Sequence, residues 1–102
     1  MSGGGGAASV SGKYDEAKLK TLEADLAKSP DKAELKAEVA EANYEVGYVM
    51  MTNPDLPPRV KYRGALKLFR RTLELKPDHQ QATASKNEIE RIYTSMGRPI
   101  PE

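Results

Sequence analysis

The chain has 102 residues, of which 30% are charged and 38% are hydrophobic, and its formal net charge is +1. A chain of this length forms one domain at most, and the near-balance of charges argues neither for nucleic acid nor for a membrane surface as its partner. Without cysteine it can form no disulfide, thiolate nucleophile or thiolate metal site, and no run approaches the roughly 20 apolar residues that span a bilayer, so we expect a soluble chain.

The first twelve residues, MSGGGGAASVSG, are Gly, Ser and Ala with little apolar area to bury. This composition predicts a flexible tail over residues 1–12. The same composition fits the spacer that remains when an export signal or a lipid anchor has been removed. The compartment is therefore open between a cytoplasmic location, the default, and an exported and tethered one.

Residues 13–97 predict a helical domain, because Ala, Leu, Glu, Lys and Arg dominate and nearly every Pro or Gly falls where a helix would start or stop. The first predicted helix runs from about residue 13 to residue 28, with Leu19, Leu22 and Leu26 on one stripe. It ends before Pro30, since the residue before a proline is pushed out of the helical region.

The second predicted helix is the central element. Asp31 is expected to cap it, with Glu34 placed three residues later to complete a capping box. At about 100° per residue, its apolar residues fall on two faces separated by a stripe of glutamates. One face holds Leu35, Val39, Ala42, Val46 and Val49, the other holds Ala33, Ala37, Ala40, Tyr44, Gly47 and Met51, and the stripe holds Glu34, Glu38, Glu41 and Glu45. A helix that is apolar on two faces must be sandwiched between other helices.

The third predicted helix follows the loop TNPDLPP, whose paired prolines suit the opening turn of a helix. It runs to about Lys76, and its predicted core residues are Tyr62, Ala65, Leu66, Phe69 and Leu73. Gly64 within it costs about 1 kcal/mol relative to Ala. A close contact with another helix would explain its presence.

The fourth predicted helix, with Asp78 as its cap, ends at Gly97 and leaves a short tail at residues 98–102. Its apolar residues recur at steps of three and four and form a single face, made of Ala82, Ser85, Ile89, Ile92, Tyr93 and Met96. Because the rest of its surface is polar, we expect this helix to cover one side of the domain and to present the other to water.

Two segments share a sequence pattern, GKYDEAKLKTLEADLAKSPD at residues 12–31 and VKYRGALKLFRRTLELKPD at residues 60–78. Ala65, Phe69 and Pro77 have the A-x3-F spacing and the closing proline of the second helix of a tetratricopeptide repeat, a helix-turn-helix unit of 34 residues. Gly47 occupies the small position of the first helix of that unit. In an alternative register, two helical turns earlier, Val39, Ala40 and Asn43 occupy the first-helix positions. The chain therefore resembles the tetratricopeptide repeat family over residues 12–96.

The resemblance implies antiparallel helical hairpins, a fragment of four helices from a right-handed superhelix; the alternative is an ordinary four-helix bundle. In that family the first helices of the repeats line a concave groove that receives an extended peptide or a helix from a partner. The implied groove residues here are Tyr44, Tyr48, Met51 and Glu41, facing Asn87 and Arg91. The resemblance thus implies a non-enzymatic scaffold or adaptor, unless the first and fourth helices already cover these side chains.

The sequence offers little for catalysis. His79 is the single histidine and sits in the first turn of a helix, where a structural or exposed role is expected. No segment has the ligand pattern of a calcium loop or of a Gly-rich phosphate loop. The glutamate stripe is expected to be a solvated face or a contact for a basic partner. The sequence predicts no enzyme, no metal site and no cofactor.

A basic ridge runs along the third helix, formed by Arg59, Arg63, Lys67 and Arg70. Helices joined by a short loop pack antiparallel, so the glutamate stripe could lie along the same edge and partly neutralise the ridge. We expect the ridge to be solvated or paired within the molecule. The alternatives are an acidic protein partner, and nucleic acid or an anionic surface. Repeat arrays usually need three or more units, so a homodimer formed by self-association of the apolar faces is a further alternative.

Overall fold

The computed structural model describes residues 10–102 and contains four α-helices, α1 (Glu16–Lys28), α2 (Ala33–Met51), α3 (Pro58–Leu75) and α4 (Gln80–Ser95). The prediction of an all-α fold of four helices is confirmed, and residues 10–102 contain no strand. None of the helices in this range combines the length and hydrophobicity needed to cross a membrane. Most of the predicted flexible tail, residues 1–9, lies outside the described residues.

The first two helices begin differently from the prediction. α1 starts three residues later than expected, because the Asp15 carboxylate accepts a hydrogen bond from the Lys18 backbone N–H at 2.7 Å and so fixes the helix start there. The capping box predicted from Asp31 and Glu34 is wrong. Lys32 occupies the cap position of α2, without a side-chain hydrogen bond, because Asp31 falls in the preceding turn.

The two ends of α4 show one correction and one agreement. The predicted cap Asp78 is wrong, because His79 occupies the cap position. The helix does end in the turn that a glycine provides: Gly97 has φ +68°, and the Arg98 N–H donates to the Tyr93 carbonyl at 3.0 Å. Residues 98–102 therefore leave the helix in a defined direction.

α2 and α3 form an antiparallel hairpin. Three close contacts pair Ala40 with Thr72, Gly47 with Phe69, and Met50 with Gly64. These contacts run in opposite order along the two helices, which defines the antiparallel arrangement. The close helix contact expected at Gly64 is confirmed, since a Cβ atom there would lie 2.5 Å from the Met50 sulfur.

α2 is sandwiched, as its two apolar faces predicted. On one face Val39, Ala42 and Val46 pack against Leu19, Leu22 and Leu26 of α1. On the other, Tyr44 packs with Ala65, Leu66 and Phe69 of α3 and with Ala82, Ile89 and Tyr93 of α4. Three residues assigned to these apolar faces are exposed: Ala33 and Ala37 of the second face and Val49 of the first.

Candidate interaction surfaces

The acidic strip of α2, formed by Glu34, Glu38, Glu41 and Glu45, lies between the two faces that pack on other helices. At about 100° per residue the strip falls between the Val39–Val46 side, which contacts α1, and the Tyr44 side, which contacts α3 and α4. Glu34 is exposed, Glu38 and Glu41 are half-buried, and Glu45 is only 3% exposed. The prediction of a solvated face is therefore right for Glu34 and wrong for Glu45.

Glu45 is buried because the segment at residues 10–14 lies on the acidic strip. The backbone N–H and the hydroxyl of Ser11 donate to Glu45 Oε1 at 2.9 and 2.8 Å, and the Tyr14 hydroxyl donates to Glu38 Oε2 at 3.3 Å. Burial raises the pKa of Tyr14, and the charge of Glu38 and its hydrogen bond reinforce the shift. This segment is neither helix nor strand, so an irregular chain docks on the strip through its hydrogen-bond donors.

His79 closes the strip on the side of α4. Its Nδ1 accepts the Ala82 backbone N–H at 3.0 Å, so the proton of the neutral ring is on Nε2, which donates to Glu41 Oε1 at 3.0 Å. Burial raises the pKa of Glu41; the hydrogen bond from His79 opposes this shift and Glu45 reinforces it. The histidine thus has a structural role, as a helix cap and as the partner of Glu41.

Tyr44 is a core residue and not a groove residue. It is 1% exposed, and its ring centroid lies 4.9 Å from that of His79 and 5.8 Å from that of Phe69. Burial raises the pKa of its hydroxyl to about 12. Tyr48 and Met51, by contrast, are half-buried and pack on the edge of the same cluster. These two retain surface that a partner can contact.

The remaining predicted groove residues, Asn87 and Arg91, lie on the exposed surface of α4. Arg91 forms an ion pair with Glu88, one turn earlier in the same helix. Within residues 10–102, no hydrogen bond or ion pair joins Asn87 or Arg91 to the acidic strip or to Tyr48. Of the predicted groove residues, Tyr44 is therefore buried, Tyr48 and Met51 are half-buried, and Asn87 and Arg91 are exposed.

In the described part of the chain no ion pair joins the basic ridge to the acidic strip, and most of the ridge is solvated, one of the two states expected for it. Arg70 instead pairs with Glu90 at 3.8 Å, and its Nη1 donates to the Glu102 carbonyl at 2.7 Å. Arg59, Arg63 and Lys67 are exposed and take part in none of the ion pairs formed within residues 10–102. The reason is that α3 contacts α2 through the face of Gly47, so the ridge and the strip point in different directions.

One ion pair that sequence reasoning missed links α1 to α3. The Arg71 guanidinium donates from Nε and Nη2 to the two carboxylate oxygens of Glu23, at 2.9 and 2.8 Å, and Asn43 donates to the same carboxylate at 2.9 Å. The hydrogen bonds from Arg71 lower the pKa of Glu23, although burial opposes the shift. The three residues come from three helices, which marks this pair as a structural clamp.

A second exposed feature, which we name the arginine cleft, is formed by Arg59 and Arg63 of α3 together with Arg98, around Tyr93 and Ile100. It consists of two adjoining depressions of about 250 and 420 Å³ that share Arg59, Tyr93 and Arg98. The ridge prediction included the first two arginines. It could not include Arg98, which is distant in sequence and lies beyond the last helix.

Within residues 10–102, no three histidine or carboxylate side chains are grouped so that they could hold a metal ion. Comparisons of the chain with protein-family models, with curated proteins and with solved structures find no match.

Proposed function

We propose that this chain is a non-catalytic protein-binding module of tetratricopeptide type, which binds an extended segment of a partner along α2. The observation that carries the proposal is the docking of residues 10–14 on the acidic strip. There an irregular segment already satisfies two carboxylates through a backbone N–H and two hydroxyl groups. A partner segment would use the same kind of contact further along the helix.

The packing of the two motif positions supports the family assignment. Gly47 and Phe69 belong to the first-helix and second-helix halves of the motif, and they contact each other: a Cβ atom on Gly47 would lie 3.0 Å from Phe69 Cε1. A small residue of one helix therefore accommodates the aromatic ring of the other. Under this assignment α2 is the first helix of a repeat, the position whose surface binds ligands in the family.

The chemistry of the exposed surface indicates what the partner segment would carry. Glu38 and Glu41 are half-exposed acceptors, which suit backbone N–H groups, hydroxyls or basic side chains. Tyr48 and Met51 offer apolar area at the C-terminal end of the same helix, and both residue types are common at interfaces. We therefore expect an extended segment with hydrogen-bond donors followed by an apolar side chain.

The test is selection of binding peptides from a random display library, followed by affinity measurement by fluorescence anisotropy. Tyr48→Ala is expected to weaken binding by about tenfold, since loss of an interface aromatic typically removes more than about 1 kcal/mol. Tyr62→Ala is the matched control, because Tyr62 is also half-buried on the same core cluster but lies on α3. It should change the affinity by less than about twofold.

Circular dichroism separates the two roles of Tyr48. Both tyrosine variants are expected to keep their helical signal at room temperature. Equal affinities of the two variants would contradict a binding surface at this end of α2. Loss of the helical signal in Tyr48→Ala alone would show that Tyr48 is needed for the core.

A further inference from the structure

The arginine cleft brings together three cations that no side chain of the described residues neutralises. Arg59, Arg63 and Arg98 are all exposed, and none takes part in an ion pair within residues 10–102. The carboxylates of α4 are engaged elsewhere: Glu88 pairs with Arg91, and Glu90 pairs with Lys86 and Arg70. The positive charge of the cleft is thus available to a ligand.

The fold holds these like charges close together. Arg59 and Arg63 are four residues apart on α3 and so lie on one side of the helix, where equal charges repel. Arg98 joins them because Gly97 adopts a positive φ and the Arg98 N–H donates to the Tyr93 carbonyl at 3.0 Å. An anionic ligand would relieve the repulsion among the three guanidinium groups.

The cleft is also apolar between its charges. Tyr93 is 8% exposed at its floor, while Met96 and Ile100 at its edges are 49% and 40% exposed. Pro57 and Pro99 complete the wall with side chains that have no hydrogen-bonding group. A ligand that fits this surface has negative charges on either side of an apolar group.

We propose that the arginine cleft is a second binding site, which takes an acidic protein segment with Asp or Glu residues flanking one apolar side chain. Guanidinium groups bind carboxylates through paired hydrogen bonds, and the apolar side chain would pack against the exposed Met96 and Ile100. The low exposure of the Tyr93 ring leaves no aromatic face on which a nucleic-acid base could stack. This site lies on α3 and the end of α4, separate from the acidic strip, and does not depend on it.

The probe is a fluorescein-labelled peptide of glutamates around one central leucine, titrated with the full chain and followed by anisotropy. The variant R59Q/R63Q/R98Q is expected to weaken binding by about tenfold or more, because several charge-assisted hydrogen bonds are lost. A peptide with glycine in place of the leucine should also bind more weakly to the unaltered chain. Tyr48→Ala should leave the affinity unchanged, which separates this site from the proposed groove.

The control has the same change of net charge at a different place. Lys18, Lys20 and Lys28 are exposed on α1. At about 0.15 M salt the variant K18Q/K20Q/K28Q should bind the acidic peptide within about twofold of the unaltered chain, since distant exposed charges are screened at that ionic strength. Circular dichroism checks that both triple variants are folded. If R59Q/R63Q/R98Q is unfolded, the single variants R59Q, R63Q and R98Q are used in its place, and each is expected to bind the acidic peptide more weakly than the unaltered chain.

Three results would overturn the proposal. The first is equal weakening in both triple variants, which would mean that only net charge matters. The second is no saturable binding of the acidic peptide at low salt. The third is displacement of the peptide by single-stranded DNA of the same charge, if the DNA binds more tightly and its affinity falls steeply as salt is added. That result would assign the cleft to nucleic acid.

Discussion

Replacing Gly47 with alanine is expected to destabilise the domain by about 1 kcal/mol, because the free-energy cost of overpacking exceeds the gain in helix propensity by about that amount. The added Cβ would lie 3.0 Å from Phe69 Cε1 and 3.2 Å from Leu68 Cβ. The Phe69 ring is completely buried and the Leu68 Cβ is fixed to its backbone, so neither can move aside easily. Overpacking a core typically costs about 1–3 kcal/mol, whereas Gly→Ala within a helix gains about 1 kcal/mol.

Gly64→Ala is the comparison for Gly47→Ala. Its added Cβ would lie closer to the nearest neighbouring atom than the Cβ added at Gly47, yet we expect the domain to tolerate it. The neighbour is the Met50 sulfur, which would lie 2.5 Å from the new Cβ atom if nothing moved. Met50 is half-buried and its side chain has several rotatable bonds, so the sulfur can turn away. The gain in helix propensity then remains, and we expect a stabilisation of up to about 1 kcal/mol.

Thermal unfolding followed by circular dichroism measures both effects. A change of about 1 kcal/mol shifts the Tm of a domain of roughly 60–100 residues by about 4–8 °C. Gly47→Ala should lower the Tm by about this amount, and Gly64→Ala should leave it unchanged or raise it. A Tm that rises in Gly47→Ala, or falls equally in both variants, would refute the argument that the mobility of the neighbour decides the outcome.

Three further substitutions probe the polar contacts of the core. Glu23→Gln should lower the free energy of unfolding by about 1 kcal/mol at neutral pH, a modest amount because the ion pair with Arg71 is partly exposed. Since the pKa of Glu23 is lowered, the stability from this pair is present above the unfolded-state pKa and is lost as the pH falls through the folded-state pKa. Urea titrations of the variant and of the unaltered chain should therefore converge in acid. Equal urea midpoints of the two proteins at neutral pH would contradict a stabilising role of the Glu23–Arg71 pair. Thr72→Val should lower the urea midpoint by the equivalent of about 1 kcal/mol, because the buried hydroxyl donates to the Ala40 carbonyl at 3.0 Å; an unchanged midpoint would show that this bond adds no net stability. His79→Ala should cost about 1 kcal/mol in the same assay through loss of the helix cap, with His79→Asn less harmful because asparagine caps well; equal losses in the two variants would place the effect elsewhere.

The number and approximate bounds of the helices follow from the amino-acid sequence alone. Leucines at steps of three and four, prolines before helix starts and a glycine after the last helix act within one or two turns, and such local signals can be read without knowing the neighbours. The two-faced pattern of α2 likewise required a sandwiched helix. The predicted cap residues Asp31 and Asp78 each lie one residue before the observed caps, Lys32 and His79. Several polar residues occur near each helix start, and the sequence does not distinguish among them.

Which surfaces are open depends on the tertiary structure. Periodicity places Tyr44 on an apolar face, but burial under the ring of His79 depends on how α4 crosses α2. The pairing of Arg71 with Glu23 joins residues that are 48 positions apart. Arg98 comes beside Arg59 through the turn at Gly97 and the packing of α4 on α3. A helical pattern tells which side chains share a face, whereas the element that covers the face is set by contacts between helices distant in the chain.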